Sequence, residues 1–452
     1  MGSDIQIIEE HYAFKPETKK KLLILLGVGV VLVLLGILLF GSGGHGTHDE
    51  HEASAISSQM LASADQPASH GESHAESGHS GSSPLVKRIF TSLWMNNIYF
   101  VGFGIIGLFF VAVQFAAQAG WSSGLKRIPL AMGQWIPIAG VLTLVLWFLV
   151  KGDLFHWTHH TLYEGAEFDP IINKKSPYFF WPGHAGGFPV FFIFRMVVFF
   201  GLWYYFFLRI KKNMMAEDLD NNSSYWFKNR VLSAWFLIFF AISSSVAAWD
   251  WVMSIDTHWF STMFGWYVFA SWWVSGLALS TLIVAYLKEA GYLKIVNANH
   301  LHDLGKFVFA FSIFWTYIWF SQFMLIYYAN IPEETIYFLE RMNNSPYSWI
   351  FYVNIIFNFV LPFLLFMTRD AKRQISTLKL VCPIILVGHW FDFYNMITPG
   401  VMKYEGGIGF IEIGLALIFF ALFLYVTLSS LSKMPLFGKN HPMLEESIHH
   451  HI

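Results

Sequence analysis

KKKLLILLGVGVVLVLLGILLF, residues 19–40, is three lysines followed by 19 residues with no charged or polar side chain. As a helix rising 1.5 Å per residue, the apolar part reaches across roughly 30 Å, the thickness of a bilayer's hydrocarbon core. It is too long for the apolar region of a typical signal peptide, so it reads as a retained membrane anchor.

Outward from this stretch the same pattern recurs. Nine further apolar runs of spanning length occupy about 97–118, 129–150, 184–208, 231–254, 263–287, 307–328, 347–367, 379–397 and 406–430. The expectation is an all-α polytopic membrane protein with about ten transmembrane helices. Composition agrees. Of 452 residues 55% are hydrophobic and only 13% charged, about half the charge of a soluble domain, and 47 Phe, 19 Trp and 19 Tyr exceed what one soluble core can hide.

Loop charge orients the chain. With the N-terminus cytoplasmic, 20 of the 28 basic residues fall in inner segments and 7 in outer ones, the last being Arg195 inside the fourth run. That bias follows the positive-inside rule and places both termini in the cytoplasm. The expected divisions are a tail and first anchor over 1–40, an external linker over 41–90, two bundles over 91–260 and 261–400, and the tenth helix with its tail over 401–452. The linker is rich in Gly, Ser, Ala and His, including His45, His48, His51, His70, His74 and His79. It reads either as a weak metal-binding tract or as a flexible polar connection.

The single cysteine, Cys382, excludes disulfides within the chain, CxxCH haem attachment and cysteine-ligated clusters. Electron carriers are then a partner's, a His-ligated haem or a diffusible molecule. Only His389 falls within a helix core, with no histidine partner at equal depth, which argues against haem held by this chain. No metal site is expected.

Ionisable residues in a span are candidate sites by default. Arg195 is expected to meet a carboxylate, an anionic ligand or backbone carbonyls. Toward the outer face lie Asp153, His156, His159 and His160 after the third run, His184 opening the fourth, and Asp250, Asp256 and His258 at the end of the fifth. His389, Asp392 and Tyr394 lie in the ninth, and Glu412 in the tenth. Histidines and partly desolvated carboxylates are the residue types that exchange protons near neutral pH. A His and a carboxylate bonded to the two oxygens of a quinol would suit outward proton release, with Trp157, Trp249, Trp251, Trp390 and Phe391 against the ring. The plainer reading is an interfacial aromatic belt with solvated loop histidines. On the inner side His300, His302, Asp303 and Lys306 either begin a proton uptake route or cap the seventh helix. Gln322, Tyr327 and Tyr328 extend polarity along that helix.

Two long motifs narrow the choice: DWVMSIDTHWFSTMFGWY at 250–267, and HLHDLGKFVFAFSIFWTYIWFSQFMLIYYANIPEET at 300–335, continued by NNSPYSW. With the His-bearing segments they resemble the second of the two polysulfide-reductase-like (NrfD-like) membrane subunits of bacterial alternative complex III, a quinol:cytochrome c oxidoreductase. The resemblance covers about residues 85–430. It implies two four-helix bundles, helices two to five and six to nine, flanked by helices one and ten, in a bacterial inner membrane. It implies partners: a homologous membrane subunit, an iron–sulfur subunit, cytochrome c subunits carrying haem c, membrane lipids, and cytochrome c or a terminal oxidase as electron acceptor. Nucleic acid is not an expected partner. The diffusible carrier is menaquinol or ubiquinol. The homologous subunit is the better candidate for the working quinol site, so two roles stand side by side: quinol contact with proton transfer, or a non-catalytic proton-conducting or structural role. Neither makes the chain an enzyme alone. A stand-alone secondary transporter is a third reading, opposed by the lack of a matched pair of Gly/Pro-broken spans.

Overall fold

The computed structural model describes residues 9–42, 82–165, 167–220, 222–343 and 346–451. Among them, ten helices are long and apolar enough to cross a membrane. They are α1 (Pro16–Phe40), α2 (Pro84–Ala116), α3 (Arg127–Leu154), α4 (Val190–Leu219), α5 (Ser224–Ile255), α6 (Phe264–Glu289), α7 (Ala298–Ala329), α8 (Ser348–Leu365), α9 (Ile375–Glu405) and α10 (Phe410–Leu431). The described residues contain no sheet, only an isolated bridge between His11 and Pro435. The linker histidines expected as a metal tract lie outside the described residues. Below, inner and outer follow the orientation derived from loop charge.

Packing forms two rings. α2 packs on α3 and α5, and α4 closes on both; α6 packs on α7 and α9, and α8 closes on α9. The rings meet along α2, α5, α6 and α9. At this seam Trp272 of α6 lies where a side chain on Gly102 of α2 would stand, 1.9 Å from its Cβ position. The Trp272 indole donates to the carbonyl of Ile98 at 3.1 Å. Outside the rings, α1 lies along α10, and α10 packs on α2. Gly29 and Gly414 let these two backbones touch: a Cβ on Gly414 would stand 2.7 Å from the Gly29 oxygen. Such close approach of small residues is how helices associate where lipid removes the hydrophobic drive.

Several boundaries differ from the sequence expectation, α7 for instance starting at Ala298 rather than 307 and α4 running to Leu219 rather than 208. Two differences bear on the candidate residues. α2 starts at Pro84 rather than near 97, because its polar first turns face protein and not lipid. Asn96 accepts from the Trp390 indole at 2.9 Å, and Asn97 donates to Thr143 at 2.8 Å. α4 starts at Val190 rather than 184, since the preceding WPGHAGGFP holds two prolines and three glycines and lies in a turn; His184 is therefore in the outer loop. Within α8, Ile356–Val360 is a π-turn just ahead of Pro362. The insertion of such a turn shifts the side chains that follow.

Candidate functional site

The most isolated ionisable group is in the second ring. Asp392, fully buried on α9, receives hydrogen bonds from three other helices. Tyr267 and Ser271, one turn apart on α6, donate to Oδ1 and Oδ2. The Trp315 indole on α7 donates to Oδ2 at 2.9 Å and the Asn354 amide on α8 to Oδ1 at 2.8 Å. Asn358, in the π-turn, donates to Asn354 and steadies it. His389, one turn before Asp392 and also fully buried, brings Nδ1 within 3.7 Å of Oδ2. Neither of its ring nitrogens has a hydrogen-bond partner. The four donors to Asp392 are uncharged, so the carboxyl can take or give a proton without breaking an ion pair.

Asp250, in the first ring, is the opposite case. Arg195 grips it through two bonds of 2.7 and 2.8 Å, and a third arm donates to the Tyr178 carbonyl at 2.7 Å. The guanidinium also lies 4.2 Å from the centre of the Tyr178 ring. Of the partners expected for Arg195, it meets both a carboxylate and a backbone carbonyl. A bidentate pair of this kind holds both members strongly in one geometry. Glu412 is held similarly: Arg88 meets it at 2.7 and 2.9 Å, and the Gly409 amide caps onto it. Tyr394 accepts from the Gly407 amide at 2.8 Å, tying the α9–α10 turn.

The outer loops spread the remaining candidates. Asp256 pairs with Arg341 of the short helix Pro332–Met342 at 3.0 Å. His258 meets Asp169, whose carboxylate also accepts from the Ile171 and Ile172 amides. Burial opposes the Asp169 charge, but those amides and His258 outweigh it and hold the group below the usual carboxylate range. His156 and His184 are exposed. Near Asp250 a cavity of about 290 Å³ opens between α5 and the helix Pro170–Phe180. Aromatic rings wall it, with Lys175 and Trp249 among its polar groups. Burial pushes the Lys175 ammonium down, and Trp249 Nε1 has no hydrogen-bond partner. Among the described residues no three His, Cys, Asp or Glu side chains converge as a metal site.

On the inner face the proposed uptake residues are drawn into a strap formed by 432–451. Asp303 pairs with Lys306 at 2.5 Å and with His450 at 2.6 Å, and His300 bonds Ser447 at 3.0 Å. Asn297 caps α7. His302 is buried with Nδ1 unpartnered. Gln322 is buried within α7, whereas Tyr327 and Tyr328 point outward.

The strap also buries His441 against Lys126, Nζ to Nε2 2.6 Å. Burial, then the Lys126 and Arg127 charges, pushes the His441 imidazole down to about 2. A free imidazole binds its proton near pH 6.5, so below that pH the released strap takes up a proton that the docked one excludes. The contribution of His441 to docking therefore weakens as pH falls. Hydrogen exchange of the 435–449 amides, corrected for intrinsic rates, is expected to rise about tenfold between pH 7 and 5.5, and His441→Asn to reduce the response, leaving the part due to His300, which is also buried against the strap at Ser447. A strap equally protected at both values contradicts this.

Sequence reasoning did not single out Tyr267, Ser271, Trp315, Asn354, Arg341, Arg88 or His450. One signal was readable: Asn354 and Asn358 stand four apart in an apolar helix, as do Tyr267 and Ser271, which puts each pair on one face. No protein-family model matches the chain, and no curated protein matches it.

Proposed function

We propose that the chain is a membrane subunit of a bacterial inner-membrane quinol:cytochrome c oxidoreductase of the alternative complex III type, and that its part is to carry protons at Asp392. The observation behind this reading is a fully buried carboxyl bonded by four neutral donors beside an unbonded buried histidine. A charge in that position is expensive, which makes a carboxyl kept there a candidate for transport or catalysis. The other buried outer-half carboxylates, Asp250 and Glu412, are locked to arginines and have no such freedom. His389 is the neighbour able to share the proton. Electrons, on this reading, pass through haem and iron–sulfur partners.

The test is purification from native membranes, followed by quinol-driven proton release from the reconstituted complex. Haem c and iron–sulfur chains are expected to co-purify, and Asp392→Asn, which keeps the shape, to slow proton release by roughly 100-fold. Unchanged release sinks the proton role; a chain that purifies without redox partners sinks the complex.

A second reading, quinol contact, is favoured by the 290 Å³ cavity, whose flat aromatic walls and unpartnered Trp249 N–H suit a ring bearing an oxygen acceptor. A photoreactive quinone that labels the cavity walls would support it.

A further inference from the structure

A second and much smaller cavity lies between Asp392 and the outer surface. Tyr267 and Asn354, both bonded to Asp392, line it, together with Gln322 of α7, Asn395 of α9 and Arg341. Aromatic rings close the rest. It leaves about 10 Å³ for the centre of a water-sized sphere, room for a single water. Gln322 and Asn395 are each only 4% exposed. Gln322 Oε1 and both side-chain polar atoms of Asn395 have no hydrogen-bond partner. Three unsatisfied polar atoms from two helices around a space of this size are the conditions under which buried water is retained.

We infer that this cavity binds one water molecule, held by Gln322 and Asn395, and that this water is the link through which Tyr267 passes the Asp392 proton outward. The inference rests on the proton-carrying reading of Asp392. With Asp392 protonated, its O–H turns to the Tyr267 oxygen while the phenol proton moves to the water. A proton then leaves that water for the outer solution. Asp392 is left ionised, and Tyr267 and the water keep their original number of protons. Arg341 lines the cavity and holds Asp256 at 3.0 Å. Its charge is offset by Asp256, so it does not bar a passing proton. Gln322 and Asn395 are positioning residues for the water, not proton carriers.

The test uses the full chain in its membrane complex. A density map fine enough to show waters is expected to place one peak within about 3.2 Å of Gln322 Oε1 and the Asn395 amide. Gln322→Met and Asn395→Leu, which remove the polar atoms that hold the water, are expected to slow proton release about tenfold. They should also shift the infrared carboxyl stretch of Asp392, because Tyr267 loses its outer partner. Gln322→Glu, which keeps an oxygen at the same place, is expected to restore the rate. A dry cavity overturns the water site. Normal release with an unshifted carboxyl stretch in both Gln322→Met and Asn395→Leu, when Asp392→Asn is slow, overturns the relay alone. Normal release in Asp392→Asn overturns the reading beneath it.

Discussion

Arg195→Met is expected to lower the stability of the detergent-solubilised protein by about 3–5 kcal/mol, because it leaves Asp250 buried without its cation. Asp250 is fully buried and its two oxygens are both bonded to Arg195. No other basic side chain is within ion-pair distance of Asp250 among the described residues. The double variant Arg195→Met/Asp250→Leu removes both charges and is expected to recover most of the loss, since well-packed apolar replacements of buried pairs are often neutral. Denaturant unfolding of the single and double variants checks this. A double variant as damaged as the single would mean that the bond to the Tyr178 carbonyl, and not charge neutralisation, carries the effect. Proton release by the double variant is expected to stay normal, which separates a locked pair from the exchangeable Asp392.

Arg341→Leu is the second large effect, expected at about 2–4 kcal/mol from hydrogen bonds to a charged donor. The reason lies in α9. Pro399 has no N–H, so the carbonyl of Asn395, four residues earlier, loses its helical partner. Arg341 Nε takes that carbonyl at 2.7 Å, while its other arms hold the Tyr337 carbonyl at 2.7 Å and Asp256. Restoring an N–H with Pro399→Ala gives the Asn395 carbonyl a second claimant. Arg341→Leu should then cost about 1 kcal/mol less in the Pro399→Ala background than alone. Strict additivity in that double-mutant cycle would refute the account of the freed carbonyl.

The ten spans were legible because a bilayer demands about 20 apolar residues per crossing, and that demand is written locally. The start of α2 was not, because Arg88, Asn96 and Asn97 look hydrophilic in a hydropathy window yet face Glu412, Trp390 and Thr143. Candidate carboxylates were legible as types but not as states. Asp250, Glu412 and Asp392 are alike in sequence; which one has a cation is decided by Arg195, Arg88 and their absence at Asp392, contacts 55 and 324 residues apart in the first two cases. Arg341 looked like an ordinary outer-loop cation. Only its place over the turn before Pro399 makes it a buried helix cap.

The glycine contact between α1 and α10 orders events in time. Among the ten described spans, the earliest in chain order has its main packing surface on the latest. Gly414 is synthesised 374 residues after Phe40, which at ordinary elongation rates is roughly 20–75 s. During that interval α1 sits in lipid without its partner, with little of its surface buried elsewhere. Docking of α1 therefore waits for α10, and a chain stalled before α10 would hold its anchor in the membrane with no seat for it.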